Sequence, residues 1–217
     1  MVFALSRNRA AACVVAICAA LPLVRFASGQ VIEFDSKGLH YQALTKGGMT
    51  VMYAPIPSHI KDFSIIQVAI TNGTGVTWMV KNQDFKFIRQ DGVEMDPISA
   101  DAVVESLLAK ASHSDVIQLQ LLYENTIYAL ANFRSTNGYE KRRQAMMTFG
   151  VSPRFKAAAA ASAIAFAPVK LKAGESTDGA IFFVNVNKDK PMGAGRLLAR
   201  CGAEDFEFET LPEVRTK

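Results

Sequence analysis

Residues 63–90, FSIIQVAITNGTGVTWMVKNQDFKFIRQ, decide which fold class the chain belongs to. In their first part the apolar residues Ile66, Val68 and Ile70 alternate with their neighbours, which is typical of a β-strand with one buried face. The Asn-Gly-Thr-Gly that follows contains residues that tolerate positive φ angles, so it favours a chain reversal. Alternation then resumes at residues 76–80 and 85–87, before an Asp-Gly turn. The stretch predicts two or three antiparallel strands joined by tight turns, the nucleus of a β-sandwich.

Further short strands are predicted on both sides of this nucleus, because apolar residues alternate there between Gly- and Pro-containing turns. These strands are expected at residues 39–44, 49–54, 169–172, 179–184 and 205–209. The single tryptophan, Trp78, is expected to fill the core of the sandwich rather than to stack on a ligand.

Helical patterns interrupt the strands between residues 97 and 165. Asp-Pro at residues 96–97 and Ser-Pro at residues 152–153 each place a capping residue before a proline at the first helical position. Between these signals, apolar residues recur at helical spacing. The sequence therefore predicts one β-sandwich domain, residues 30–217, with an insertion of several helices at about residues 97–165.

Residues 1–29 have the composition of a signal peptide. Arginines precede an apolar run of about 15 residues, and Ala-Ser-Gly at residues 27–29 provides a small-residue cleavage context. A membrane span needs roughly 20 apolar residues, so cleavage is expected and a retained N-terminal anchor is the alternative. Loss of three arginines would lower the net charge from +4 to +4 − 3 = +1, which gives no support for a nucleic-acid partner. The expected location is outside the cytoplasm, either periplasmic or secreted.

Motifs for catalysis, cofactors or metals are absent from the sequence. It contains no GxSxG, HExxH, P-loop or GxGxxG pattern, and His40, His59 and His113 lie far apart. Cys201 is the only cysteine after residue 29, so no intramolecular disulfide is expected and the thiol is predicted to act as a small buried hydrophobe. Asn-Gly-Thr at residues 72–74 fits a glycosylation sequon, although a turn explains it fully. The prediction is a protein without enzyme activity, cofactor or metal.

Cationic and apolar residues occur together in the predicted helices and form the candidate interaction surface. Its members are Lys141, Arg142, Arg143, Met146, Met147, Phe149, Arg154, Phe155 and Lys156. A solvated helix face is the simplest interpretation of the charges, and the apolar members could equally belong to the core. The functional interpretations are contact with an acidic protein surface or with anionic lipid. The alanine-rich residues 157–165 are expected to allow close helix packing.

The predicted strands resemble the immunoglobulin-like domains of poorly characterised bacterial exported proteins. The residues that carry the resemblance are Val-Ala-Ile-Thr-Asn at 68–72, Asp-Phe at 84–85, Asp-Gly at 91–92, and residues 169–175 followed by 179–183. The likeness covers about residues 39–95 and 166–210. It implies an α+β fold, namely an immunoglobulin-like antiparallel β-sandwich with a multi-helix insertion between strands, preceded by a signal peptide. It implies no catalytic residue.

The hypothesis from the sequence is an exported, non-enzymatic module that binds another envelope protein through its helical insertion. Two alternatives remain open. The basic helices could associate with an anionic membrane surface, or the protein could bind a small ligand between the sheet and the helices.

Overall fold

The computed structural model describes residues 29–36, 38–57, 60–119, 135–147, 152–185 and 192–210, with only the backbone of Met146 and Met147. The helices in these ranges are α1 (Ala100–Lys110), α2 (residues 113–119), α3 (Tyr139–Met147) and α4 (Pro153–Ile164). The strands are β1 (Ile32–Ser36), β2 (Leu39–Lys46), β3 (Met49–Pro55), β4 (Phe63–Asn72), β5 (Trp78–Val80), β6 (Phe85–Arg89), β7 (Glu94–Met95), β8 (Val169–Leu171), β9 (Ser176–Val184), β10 (Gly195–Cys201) and β11 (Glu204–Thr210).

The strands form an antiparallel β-sandwich. One sheet has the order β1-β2-β3-β4-β9, a second has the order β11-β10-β6-β7, and β5 pairs with β8 in a small third sheet. Aromatic pairs join the two larger sheets: the ring centroids of Phe87 and Phe183 lie 6.2 Å apart, and those of Tyr53 and Phe208 lie 5.0 Å apart. The predicted α+β class and sandwich architecture are therefore confirmed.

The helices cover the opposite face of the five-stranded sheet. Phe63, Ile65 and Phe182 on that face are buried together with Val103 and Leu107 of α1 and the alanines of α4. The five-stranded sheet is therefore covered on both faces, which explains why nearly every residue of β4 is buried although its apolar residues only partly follow one another. The layers follow the order helices, five-stranded sheet, four-stranded sheet.

The three strands of residues 63–90 are present, but they do not pair with one another. The strand β4 pairs with β3 and β9, β5 pairs with β8, and β6 pairs with β10 and β7. The prediction of strands at these positions is confirmed, whereas the prediction that tight turns join them into one antiparallel unit is wrong. Each connection instead carries the chain from one sheet to another.

The reversal after β4 depends on a buried asparagine and not on positive φ angles. The Asn72 side chain is fully buried. Its Oδ1 accepts hydrogen bonds from the Thr74 backbone N–H (2.9 Å) and hydroxyl (2.6 Å). Its Nδ2 donates to the carbonyl oxygens of Val76 (2.7 Å) and Leu171 (2.9 Å). Neither glycine of this turn has a positive φ angle. Because the Asn72 amide is inaccessible and used by the turn, the sequon is not available for modification in the folded protein.

The sequence predictions for several other elements need correction. The helix α1 begins at Ala100 with Ser99 as its cap, three residues after the expected Asp-Pro signal, whereas α4 begins at Pro153 as predicted. The strands β1, β7 and β10 were not predicted. Trp78 is only half-buried at the edge of the sandwich core, where its indole N–H donates to Thr74 Oγ1 at 3.0 Å.

Cys201 is a free, buried cysteine in the sandwich core. Burial raises the pKa of its thiol to about 12, with a further contribution from the Asp84 charge, so the thiolate form is suppressed. The prediction that this residue acts as a small buried hydrophobe is confirmed.

The predicted signal peptide lies almost entirely outside the described residues, which begin at Gly29. Among the helices that the structure describes, none combines the length and the apolar character needed to cross a membrane.

Candidate functional site

The exposed cations of α3 and α4 lie on two helices that pack against each other, and α4 also exposes an aromatic ring. We call Lys141, Arg143, Arg154, Phe155 and Lys156 the α3–α4 basic surface. Lys141, Arg154 and Lys156 are exposed, and Phe155 exposes 56% of its surface. The Arg143 side chain is about one-third exposed, with its Nη1 4.0 Å from Oε2 of Glu140. Since α3 and α4 pack against each other, these side chains belong to one helical layer.

Positive charge is concentrated on these two helices. The described parts of α3 and α4 contain five Lys or Arg residues and one acidic residue, which gives 5 − 1 = +4. The helix α1 in the same layer carries Asp101, Glu105 and Lys110, a net charge of −1. The excess is therefore local to α3 and α4 and not a property of the whole layer.

Helix stability does not account for the cations at the start of α4. Arg154 and Lys156 lie in its first turn, which holds no acidic residue, and the preceding Ser152 makes no side-chain capping hydrogen bond. A positive charge at a helix N-terminus opposes the helix dipole and costs about 0.3–1 kcal/mol when exposed. The helix is held instead by its far side, where Ala157, Ala160 and Ile164 are buried against the sheet and α1. This confirms close packing of the alanine-rich stretch.

Arg142 is placed differently from the other predicted surface residues. Its side chain is half-buried, its Nε and Nη2 atoms are buried, and its charge acts on Asp178 of β9. Arg142 therefore points towards the sheet and not outwards with Lys141. Of the remaining predicted members, Phe149 and the side chains of Met146 and Met147 lie outside the described residues.

Beneath α3 lies a buried carboxylate that the sequence did not reveal. Asp178 is 1% exposed; it accepts a hydrogen bond at Oδ1 from Asn137 Nδ2 (2.8 Å) and a longer one at Oδ2 from Gln67 Nε2 (3.3 Å). Burial raises its pKa to about 6, against the lowering effects of a Ser135 hydrogen bond, the Arg142 charge and Gln67. Gln67 Oε1 is buried, and no hydrogen-bond partner for it occurs among the described residues.

This cluster joins the segment before α3 to the edge strand β9. The Thr136 backbone N–H and hydroxyl both donate to the Ser176 carbonyl oxygen, at 2.8 and 3.0 Å. Asn137 Nδ2 also donates to the Asp178 carbonyl oxygen (3.1 Å), while Asn137 Oδ1 accepts from the Tyr139 N–H (2.9 Å) at the start of α3. One asparagine thus joins the strand edge to the helix that carries Lys141 and Arg143.

The two histidines that the structure describes lie on different elements. His40 is exposed on β2, with Nδ1 2.9 Å from Asp35 Oδ1 and Nε2 3.7 Å from Glu33 Oε2, and His113 is exposed at the start of α2. His59 lies outside the described residues. Within the described ranges, no group of three or more histidine, cysteine, aspartate or glutamate residues could hold a metal ion.

Comparison with known proteins identifies no relative of this chain. No protein-family model matches it, and no curated protein or solved structure shows significant similarity to it.

Proposed function

We propose that this protein is an exported, non-enzymatic module that mediates protein–protein interaction in the cell envelope through its helical insertion. The observation that carries this proposal is the α3–α4 basic surface, which combines exposed cations with the exposed Phe155 ring. Interfaces are enriched in arginine and aromatic residues relative to the rest of a protein surface. An exposed surface of this composition is suited to a partner.

The packing that holds α3 and α4 in place favours a role of this surface in binding a partner over a purely structural role. Buried alanines fix α4 on the sheet and α1, and the Asn137–Asp178 contact fixes the beginning of α3. A surface held by packed elements loses little conformational entropy when a partner binds.

The proposal includes an immunoglobulin-like architecture. Two packed antiparallel sheets support it, since many cell-surface domains share the sandwich without sharing one strand order. The five-stranded sheet begins with a four-strand meander, unlike the ABED order of immunoglobulin constant domains. The resemblance that we propose is therefore one of architecture.

Export is supported by the composition of residues 1–28. If the signal peptide is removed, the protein recovered from its native cells begins near residue 29 or 30, as read by N-terminal sequencing. Recovery of the intact N-terminus in the membrane fraction would instead indicate the anchored alternative.

The interaction itself is best tested by surface substitutions, because the helices cannot simply be deleted. Their removal would uncover large side chains such as Tyr41, Phe63, Ile65 and Phe182. Each contributes about 1.5–3 kcal/mol when buried, so the four together contribute about 6–12 kcal/mol, comparable with the whole stability of a domain. Loss of binding in a deletion variant would then report unfolding.

We therefore compare two double variants with the same change in charge. The surface variant is Arg154→Glu/Lys156→Glu, and the control variant is Lys170→Glu/Lys172→Glu, whose lysines are exposed near β8. Tagged proteins are used to capture partners from native envelope extracts, followed by mass spectrometry. A protein retained by the wild type and the control variant but lost from the surface variant supports the proposal. Identical capture by all three proteins contradicts it.

A further inference from the structure

The chemistry of the partner follows from the same surface, and this inference rests on the proposed function. We infer that the α3–α4 basic surface binds an acidic polypeptide segment in which an apolar side chain lies beside the carboxylates. The acidic groups would face Lys141, Arg143, Arg154 and Lys156, and the apolar side chain would cover Phe155.

Charge complementarity is the first reason. Without Arg142, which points towards the sheet, the described parts of α3 and α4 carry a net charge of 4 − 1 = +3, and the only acidic residue among them, Glu140, lies near Arg143. Some other cations described on this sandwich have close acidic neighbours: Lys86 with Glu94 at 2.7 Å, and Arg200 with Asp205 at 3.4 Å. Carboxylates of a partner would compensate Arg154 and Lys156 at the start of α4, for which the described residues provide no ion pair.

Phe155 explains why the partner needs more than charge. Its ring is 56% exposed and is flanked in sequence by two exposed cations on the first turn of α4. An aromatic residue that a partner covers, surrounded by charged residues at the rim, is the usual composition of an interface hot spot. A purely acidic segment would leave this ring in water, so an apolar neighbour is expected to strengthen binding.

A protein segment fits this surface better than a membrane does. A helix that lies on a lipid surface presents a broad apolar face to the acyl chains. The apolar side of α4 is already buried against the sheet and α1, which leaves Phe155 as the one large apolar side chain exposed on the described parts of α3 and α4. Within the described residues of these two helices, a single exposed ring offers little area for insertion into lipid.

The test measures binding of the purified protein to defined probes at low ionic strength. The first probe is a synthetic peptide that alternates glutamate with phenylalanine and leucine. The second has glutamine in place of glutamate, and the third has serine in place of the apolar residues. The fourth probe consists of vesicles of phosphatidylglycerol and phosphatidylcholine. Binding is followed by fluorescence anisotropy for labelled peptides and by co-sedimentation for vesicles.

We expect the first peptide to bind best, and the glutamine and serine peptides each to bind at least about tenfold more weakly. The surface variant Arg154→Glu/Lys156→Glu should weaken binding of the first peptide at least about tenfold, and Phe155→Ser should do the same, whereas Lys170→Glu/Lys172→Glu should change it less than about twofold. Raising the salt concentration to about 0.5 M should weaken the remaining attraction, because the screening length then falls to a few ångströms.

Several outcomes would overturn the inference. These are equal binding of the glutamic acid and glutamine peptides, equal loss in the surface and control variants, or binding to anionic vesicles without binding to any peptide. The two proposals fail separately. If the surface variant loses its captured envelope partner but the wild type binds no acidic peptide, the interaction module stands and the partner chemistry is wrong. If capture is unchanged by the surface variant, the proposed function itself fails.

Discussion

Replacing Asp178 by asparagine tests whether a buried carboxylate beneath α3 controls the pH dependence of stability. The substitution keeps the shape of the side chain and removes its charge. Asn137 can still donate to the side-chain oxygen that the substitution retains. Gln67 Oε1 has no partner among the described residues, so Gln67 can rotate its side-chain amide and accept a hydrogen bond from the new NH₂ group. A large packing change is therefore not expected, and the comparison isolates the titration of one group.

The magnitude follows from the difference between the folded and unfolded pKa values of Asp178. Burial raises the pKa from 3.8 to about 6. A difference of about 2 pH units corresponds to about 3 kcal/mol, at 1.36 kcal/mol per unit. The folded protein binds the proton more tightly than the unfolded chain, so protonation stabilises the fold. This contribution is complete below about pH 4 and is lost as the pH rises through about 6.

The assay is urea unfolding of the wild type and of Asp178→Asn between about pH 4 and about pH 7, at constant ionic strength. Fluorescence of Trp78 and circular dichroism provide two signals. Because other carboxylates also titrate in this range, the informative quantity is the difference in unfolding free energy between the two proteins. We expect the wild type to lose most of this contribution of about 3 kcal/mol relative to the variant as the pH rises. Glu105→Gln, an exposed substitution on α1, serves as the control variant.

Two results would refute this reasoning. A difference that is independent of pH would mean that Asp178 has the same proton affinity in the folded and unfolded states. A difference that changes in the opposite direction would mean that attraction to Arg142 and the hydrogen bonds outweigh the cost of burying the charge.

Two further predictions concern glycine and asparagine positions. Gly179→Ala should destabilise the protein by about 1–3 kcal/mol in urea unfolding, because its new Cβ would lie 2.6 Å from the Phe166 Cα atom. The control Gly75→Ala meets no atom within 4 Å and should be nearly neutral. Equal effects of the two substitutions would contradict the explanation by close approach. Asn72→Ala should cost about 2–4 kcal/mol, since it leaves buried groups such as the Leu171 carbonyl without their donor, and an unchanged unfolding midpoint would show that the turn does not depend on this side chain.

The positions of many elements could be predicted from local sequence patterns. The Gly-Gly pair after β2 adopts positive φ angles at both residues and joins β2 to β3, as its sequence between two alternating runs indicates. Ser152 and Pro153 mark the start of α4, and Phe206 and Phe208 mark the buried face of β11. In each case the signal lies within a few residues, where steric limits and periodicity act directly.

Other elements carried a signal that was overlooked. In β10 the buried residues Leu197, Ala199 and Cys201 alternate with the two exposed arginines Arg196 and Arg200, a pattern that could have identified the strand. The strand β9 begins at Ser176, three residues before the predicted start, because the short polar run before Gly179 lacks the apolar residues on which the prediction was based. That difference hid the fact that Asp178 lies inside a strand.

Sequence patterns along the chain determined where most strands would form, where a helical block would interrupt them, and which residues would supply most of its exposed cations. Only the tertiary structure decided that β4, β5 and β6 join different sheets and that the helices cover an apolar sheet face. It also decided that Arg142 points inwards while Arg154 does not, and that Asp178 is buried. Periodicity specifies which side of a strand or helix is apolar, but it does not specify which distant segment will cover that side. Burial and pKa depend on those distant neighbours, so they become defined only when the layers pack together.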